Sequence, residues 1–335
     1  MYEKENLSKK AKIIIGVISI LIFAIGVILI ALGYNEAFYI NNATVQLIFK
    51  IITFTGEETF FIILIAIFYI IYDKRFAKNL AFSLLFCAYI NQFLKDIIRD
   101  PRPPTNSDPN AEHGLIETGY GFPSAHSQNA VASYGYITYE FKDKSKRYII
   151  AVILSILIFL IAISRLIIGV HDLQDIVGGL LIGIGLLIAF IHLEPIFSEK
   201  INSLNLITKI LIILVISVLI FLIGTLLFPT TGLQLLDNPP LYSDAGLYAL
   251  VGGIILGLGI GYLLENKYID YQPSEINNKQ KLINLVIGLI ILLLAYLGLD
   301  LIISGNVILR FIRYALLSFL LSFLVPLIFT KINRK

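Results

Sequence analysis

The chain is poor in the features that mark disulfide scaffolds, metal proteins and nucleic-acid binders. Its single cysteine, Cys87, sits inside an apolar run. That excludes a disulfide framework and leaves cysteine silent about redox compartment. Only 15% of its 335 residues are charged, and the net charge is +3. So small an excess excludes the basic surface that nucleic-acid binding needs. No internal repeat and no low-complexity tract is present. Nothing resembles a Mg²⁺ carboxylate cage or a zinc cluster, so no metal and no other cofactor is expected.

What is abundant is apolar surface. The chain is 57% hydrophobic with a mean hydropathy of +0.85, more than a soluble domain needs. This is the composition of an all-α, polytopic membrane bundle. Apolar runs long enough to cross a bilayer fall near 12–34, 59–72, 77–97, 125–141, 148–166, 172–193, 207–228, 245–264, 282–301 and 309–330, about ten spans. The first is too long for the apolar part of a cleaved signal peptide and reads as a retained span. The runs at 59–72 and 125–141 are short or polar, as if covered by protein rather than lipid. The stretch 35–57 is amphipathic and reads as interfacial.

Lys and Arg set the orientation. With the N-terminus inside, 19 of the 26 Lys and Arg residues fall on cytoplasmic segments, including Lys74, Arg75, Lys78, Lys142, Lys144, Lys209 and Lys267. The outer side receives Lys50, Lys95, Arg99, Arg102, Arg165, Arg310 and Arg313. Both termini are therefore expected in the cytoplasm of a multi-pass protein, with the plasma membrane as its expected location.

Three short stretches break the apolar pattern. The first runs from Lys95 to Arg102-Pro103. Lys95, Arg99 and Arg102 stand at i, i+4 and i+7, so a helix there would put all three on one face. Pro101 and Pro103 would end that helix. The second is Pro123-Ser124-Ala125-His126, preceded by Gly119 and Gly121. Glycines admit close backbone approach, and a proline followed by a helix start offers N–H groups to an anion. The third is Ser164-Arg165, then His171 and Asp175. His171 and Asp175 are i, i+4, so the carboxylate can fix the imidazole tautomer and leave the other nitrogen free to attack. By charge bias, all three stretches lie on the extracytoplasmic face.

The patterns K-x(6)-R-P, P-S-A-H and S-R-x(5)-H-x(3)-D resemble the signature of the type 2 phosphatidic acid phosphatase family, membrane lipid phosphatases that share a core with vanadium haloperoxidases. The resemblance implies a six-helix phosphatase core and phosphate contacts from Lys95, Arg102, Arg165, Ser124 and the amide of Ala125, where the family more often has glycine. Arg99 lies outside the strict pattern and is a possible helper. The resemblance further implies that His171 attacks phosphorus to form a phosphohistidine, with His126 protonating the leaving group and Asp175 orienting His171. The expected partners are a lipid phosphate or polyprenyl diphosphate and the surrounding lipids. The stretch 95–103 is more similar to the sphingosine-1-phosphate phosphatase branch than to the bacterial polyprenyl diphosphate branch.

Two other readings share these residues. Ten spans also suit a lipid transporter or flippase, although transporters place charge near the midplane rather than at helix ends. A vanadate-dependent haloperoxidase shares the site but is typically soluble. His113 lies in the polar loop 103–122 and His192 at the cytoplasmic end of the sixth span, and neither is assigned a role.

Residues 1–196 hold every motif and read as the phosphatase core, and 205–331 as a four-span accessory region. In that second region Gly253, Gly257 and Gly261 form a close-packing face, as Gly179 and Gly183 do in the sixth span. Packing between the halves and homodimerisation are both open. Arg310 and Arg313, the outer cations of the accessory region, are expected to pair with Asp300 or Asp244 or to gather lipid phosphate.

Overall fold

The computed structural model describes residues 38–106, 115, 117–228, 245–303 and 306–333. The span expected at 12–34 lies outside them. Among the described residues every regular element is helical: α1 (Ala43–Phe54), α2 (Glu58–Ile71), α3 (Lys74–Ile98), α4 (Ala125–Glu140), α5 (Arg147–Ile168), α6 (Leu173–Asn202), α7 (Leu206–Leu227), α8 (Ala245–Tyr268), α9 (Asn278–Ile302), α10 (Val307–Phe319) and α11 (Val325–Asn333). A π turn at Leu320–Leu324 joins the last two into one rod.

Against about ten spans expected for the whole chain, seven helices among the described residues are long and apolar enough to cross: α3, α5, α6, α7, α8, α9 and the α10–α11 rod. The bent pair α1–α2, with 44° between its arms, would make an eighth as one broken span. The segment 125–141 fails as an independent span. α4 has 16 residues, about 24 Å of helix, and its buried face carries Ser127, Gln128, Asn129 and Ser133.

Such a helix tolerates membrane depth only when protein satisfies its polar groups. Here α3, α5 and α6 wrap it. Gln128 donates to the Cys87 carbonyl at 3.0 Å and accepts from Asn91 at 2.8 Å. Below these polar residues, Phe61, Phe76, Tyr134 and Tyr136 pack with Leu80 and Leu258 into the main apolar core. The most apolar helices, α5, α7 and α9, form the outer ring and bury little of their surface. The division of labour is physical: lipid covers the uniformly apolar helices, and protein covers the polar one.

The two regions expected at 1–196 and 205–331 interlock. α6 runs through Pro195 to Asn202 without a break at 196. At one membrane end Lys74 pairs with Glu265 at 2.8 Å, both side chains buried. At the other, Tyr248 donates to Asp96 at 2.6 Å. The Gly253 and Gly257 face is used inside the chain. A Cβ on Gly257 would lie 2.0 Å from the Ala315 carbonyl oxygen, and one on Gly253 2.4 Å from that of Phe311. The glycines therefore bring α8 against α10, within the accessory region.

Candidate active site

The site forms where four chain segments meet at one end of the bundle. α3 supplies the first. Its last turn carries Lys95, buried, and the helix stops at Ile98. Arg99 adopts a left-handed conformation at φ 56° and caps it. The shared helical face for Lys95, Arg99 and Arg102 is therefore corrected: Arg102 arrives from the loop. Arg99 is exposed and its Nε donates back to the Asp96 carbonyl at 3.1 Å, away from the other cations. Pro101 and Pro103 hold the chain out of helix and aim Arg102 inward.

Arg102 ties three pieces of chain together. Its Nε donates to the Gly119 carbonyl at 2.9 Å and its Nη2 to that of Thr118 at 3.3 Å. Its Nη1 donates to the Val170 carbonyl at 2.9 Å and lies 3.1 Å from His171 Nε2. Lys95 Nζ donates to the carbonyls of Tyr120 and of Gly121, the latter at 3.0 Å. Both cations thus brace the glycine-bearing loop that leads into α4.

The α5–α6 turn supplies His171. Gly169 ends α5 at φ 87°, a conformation that side chains resist. A Cβ there would also lie 2.8 Å from the Tyr39 ring. Asp172 then caps α6, and Asp175 returns the bond in a capping box. His171 Nδ1 lies 2.7 Å from Asp175 Oδ2, both residues buried. Arg102 can only donate, so Nε2 must be the acceptor and Nδ1 carries the proton to Asp175. The lone pair is on Nε2, facing the guanidinium. Burial first, then Arg102, Lys95 and Arg165, hold His171 well below the usual histidine range. It is neutral at neutral pH.

The third segment, Gly121 to His126, fits against this turn. A Cβ on Gly121 would lie 2.9 Å from Asp175 Oδ2, so glycine leaves room for the carboxylate. The Phe122–Pro123 peptide is cis. The Ser124 amide donates to the Asp175 carbonyl at 2.9 Å. Ser124 is the N-cap of α4, accepting from Ser127 N, and Ala125 opens the helix. Gly179 of α6 lets the two helices touch, since its Cβ would lie 2.6 Å from the Ser124 carbonyl oxygen.

Arg165, on the last turn of α5, is fully buried. It donates to Thr53 Oγ1 at 2.9 Å and to Glu117 Oε1 at 2.5 Å. His126 Nε2 lies 3.0 Å from Glu57 Oε1. The structure therefore gathers Lys95, Arg102, Ser124, Ala125, His126, Arg165, His171 and Asp175 at one end of the fold, and leaves Arg99 out. His192 lies on α6 near the other end, against the Ile188 carbonyl. His113 is outside the described residues.

Sequence reasoning missed Glu57 and Glu117. Burial raises the Glu117 carboxyl, but Arg165, His126 and Arg102 outweigh it and bring it down to about 2. Burial likewise raises Glu57, and the bond and charge of His126 bring it below its usual value. The sole sequence signal was for Glu117, a carboxylate two residues before Gly119. Glu57, Glu117 and His126, and separately Asp100, Asp172 and Asp175, have ligand-type atoms within 4.8 Å of one another. These oxygens already serve protein partners: Glu57 the imidazole of His126, Glu117 the guanidinium of Arg165, Asp172 the Asp175 amide and Asp175 the imidazole of His171.

Residues 76–199 match the family described as the PAP2 superfamily, and residues 248–335 match the PAP2 superfamily phosphatase transmembrane extension. Similar curated proteins include lipid phosphate phosphatase delta of Arabidopsis thaliana, 29% identical over 38% of this chain and 33% of its own length. Another is sphingosine-1-phosphate phosphatase 2 of Homo sapiens, 26% identical over 45% of this chain and 38% of its own. A third is phosphatidylglycerophosphatase B of Bacillus subtilis, 36% identical over 34% of this chain and 53% of its own. The chain thus matches about a third to a half of the length of these relatives.

Proposed function

We propose, from the premise that the chain belongs to the PAP2 superfamily, that it is a metal-independent membrane phosphatase for a lipid phosphate or diphosphate. His171 Nε2 attacks phosphorus in line. A nitrogen–phosphorus bond forms, the phosphorus–oxygen bond to the leaving group breaks, and His126 gives that oxygen its proton. Water then attacks the phosphohistidine, returns a proton to His126 and releases inorganic phosphate. Such transfer asks mainly for positioning and for charge around the phosphoryl oxygens.

The observation that carries this reading is His171 itself. Asp175 holds one ring nitrogen at 2.7 Å, and the other faces Arg102 at 3.1 Å. An entering phosphoryl group would displace that contact and take the guanidinium as its own donor, which suits bidentate contact. Lys95 and Arg165 add charge, and the N-terminal turn of α4 at Ser124–Ala125 adds amides. Glu57 holds the His126 ring in place through Nε2. The Lys and Arg bias supports an extracytoplasmic site, with the head group at the interface and the tail in the membrane. The named relatives act on phosphorylated lipids, which supports the same substrate class.

The direct test is phosphate release by the purified protein in detergent from a panel spanning lipid monophosphates and polyprenyl diphosphates. Release from at least one lipid, abolished by His171→Ala, is expected. No release from any, with substrate transport in vesicles instead, would replace the enzyme with a transporter.

A further inference from the structure

A polar cavity of about 810 Å³ lies at the far end of the bundle from His171. Asn79 on its wall and Lys95 in the site share α3, 16 residues and so about 24 Å apart. The cavity therefore opens on the opposite membrane face. It sits where the two regions of the chain meet, between the start of α3, the end of α6, the start of α7 and the end of α8.

Its chemistry is that of a head-group site. Four cations line it, Arg75, Lys78, Lys209 and Lys267, against two carboxylates, Glu194 and Glu199, which leaves 4 − 2 = +2. Lys78 is already matched: its Nζ lies 4.0 Å from Glu194 and 5.3 Å from the centre of the Tyr262 ring. The excess therefore belongs to Arg75, Lys209 and Lys267.

Depth agrees. α6 has 30 residues, about 45 Å, against a hydrocarbon core of about 30 Å, so its last turns stand among head groups. Leu206, Leu263 and Pro195 line the same cavity and give acyl chains an apolar path away from it.

We propose that this cavity binds the head group of an anionic phospholipid, from the leaflet opposite the catalytic site. Basic pockets between membrane helices take such head groups. The binding does not depend on the reaction proposed above.

The test uses the full chain in phosphatidylcholine nanodiscs into which phosphatidylglycerol is titrated. Native mass spectrometry then counts the lipid retained. The wild type should keep phosphatidylglycerol in preference to phosphatidylcholine. Lys209→Gln with Lys267→Gln should weaken that retention about tenfold, which is about 1.4 kcal/mol. Lys142→Gln with Lys144→Gln, in the α4–α5 turn of the same face but outside the cavity, should not. Should the first pair fail to fold, Arg75→Gln, at an exposed position, should still lower retention severalfold. Equal loss in both pairs would reduce the effect to surface charge and overturn the site, as would loss in neither. Full displacement of the lipid by millimolar inorganic phosphate would make it a soluble-anion site and overturn the lipid assignment.

Discussion

In the proposed reaction a single imidazole, that of His171, carries the chemistry, and its surroundings make its behaviour testable. His171→Ala should lower turnover by a factor on the order of 10³ or more while the fold persists. The same residue should shape stability. Its folded pKa is depressed by burial and by Arg102, Lys95 and Arg165, so below about pH 6.5 the unfolded chain binds a proton that the folded chain refuses. Stability should fall with decreasing pH there by up to about 1.4 kcal/mol per unit, and the thermal midpoint of His171→Gln should fall less steeply. Equal slopes would mean His171 is not held neutral. Glu117 has the opposite sign. Depressed to about 2 in the fold, it contributes stability that is full above its unfolded value of about 4.3 and lost as pH falls toward 2. The advantage of the wild type over Glu117→Gln should persist from pH 7 down to that value and vanish near pH 2. The motif residues were legible because chain spacing fixes them. Glu57 and Glu117 were not, because their partners stand 69 and 48 residues away and only tertiary packing brings them together.

At the scale of elements, polar pattern outweighed length. α4 was legible as a helix near the motifs but not as a structure too short to stand in lipid alone. Its hydrogen bonds come from α3, which no local signal shows. The Lys95–Arg102 stretch misled for a related reason: helical spacing continued through a backbone that reverses at Arg99. The glycine face of α8 was legible as a packing device, but its target was not, since α10 and a second copy of the chain present similar surfaces to sequence reasoning. Gly257→Ile should decide how much that contact matters. Its side chain must displace the backbone at Ala315, which costs about 1–3 kcal/mol by overpacking. The thermal midpoint should drop in dilute detergent with the oligomeric state unchanged. Loss of a dimer without loss of stability would place the face between chains.

For the whole molecule, the Lys and Arg bias supports the proposal that the end holding His171 faces out. A cysteine placed in 104–118 should react with an impermeant thiol reagent outside intact cells, and one in 142–147 should not. The reverse pattern would invert the topology. Hydrolysis should also survive strong chelation, because Lys95, Arg102 and Arg165 supply the charge that a metal would otherwise bring. Loss with chelator, restored by one divalent ion, would assign a metal to the carboxylate clusters. The central claim is that a bond forms at His171 Nε2. Purified protein should be mixed with a lipid substrate labelled in its phosphate, quenched with alkali within one turnover and mapped by peptide mass spectrometry. The account predicts a phosphoryl group on His171, stable in alkali, labile in acid and absent from His171→Ala. Turnover with no phosphoenzyme, or with the label on another residue, would contradict it.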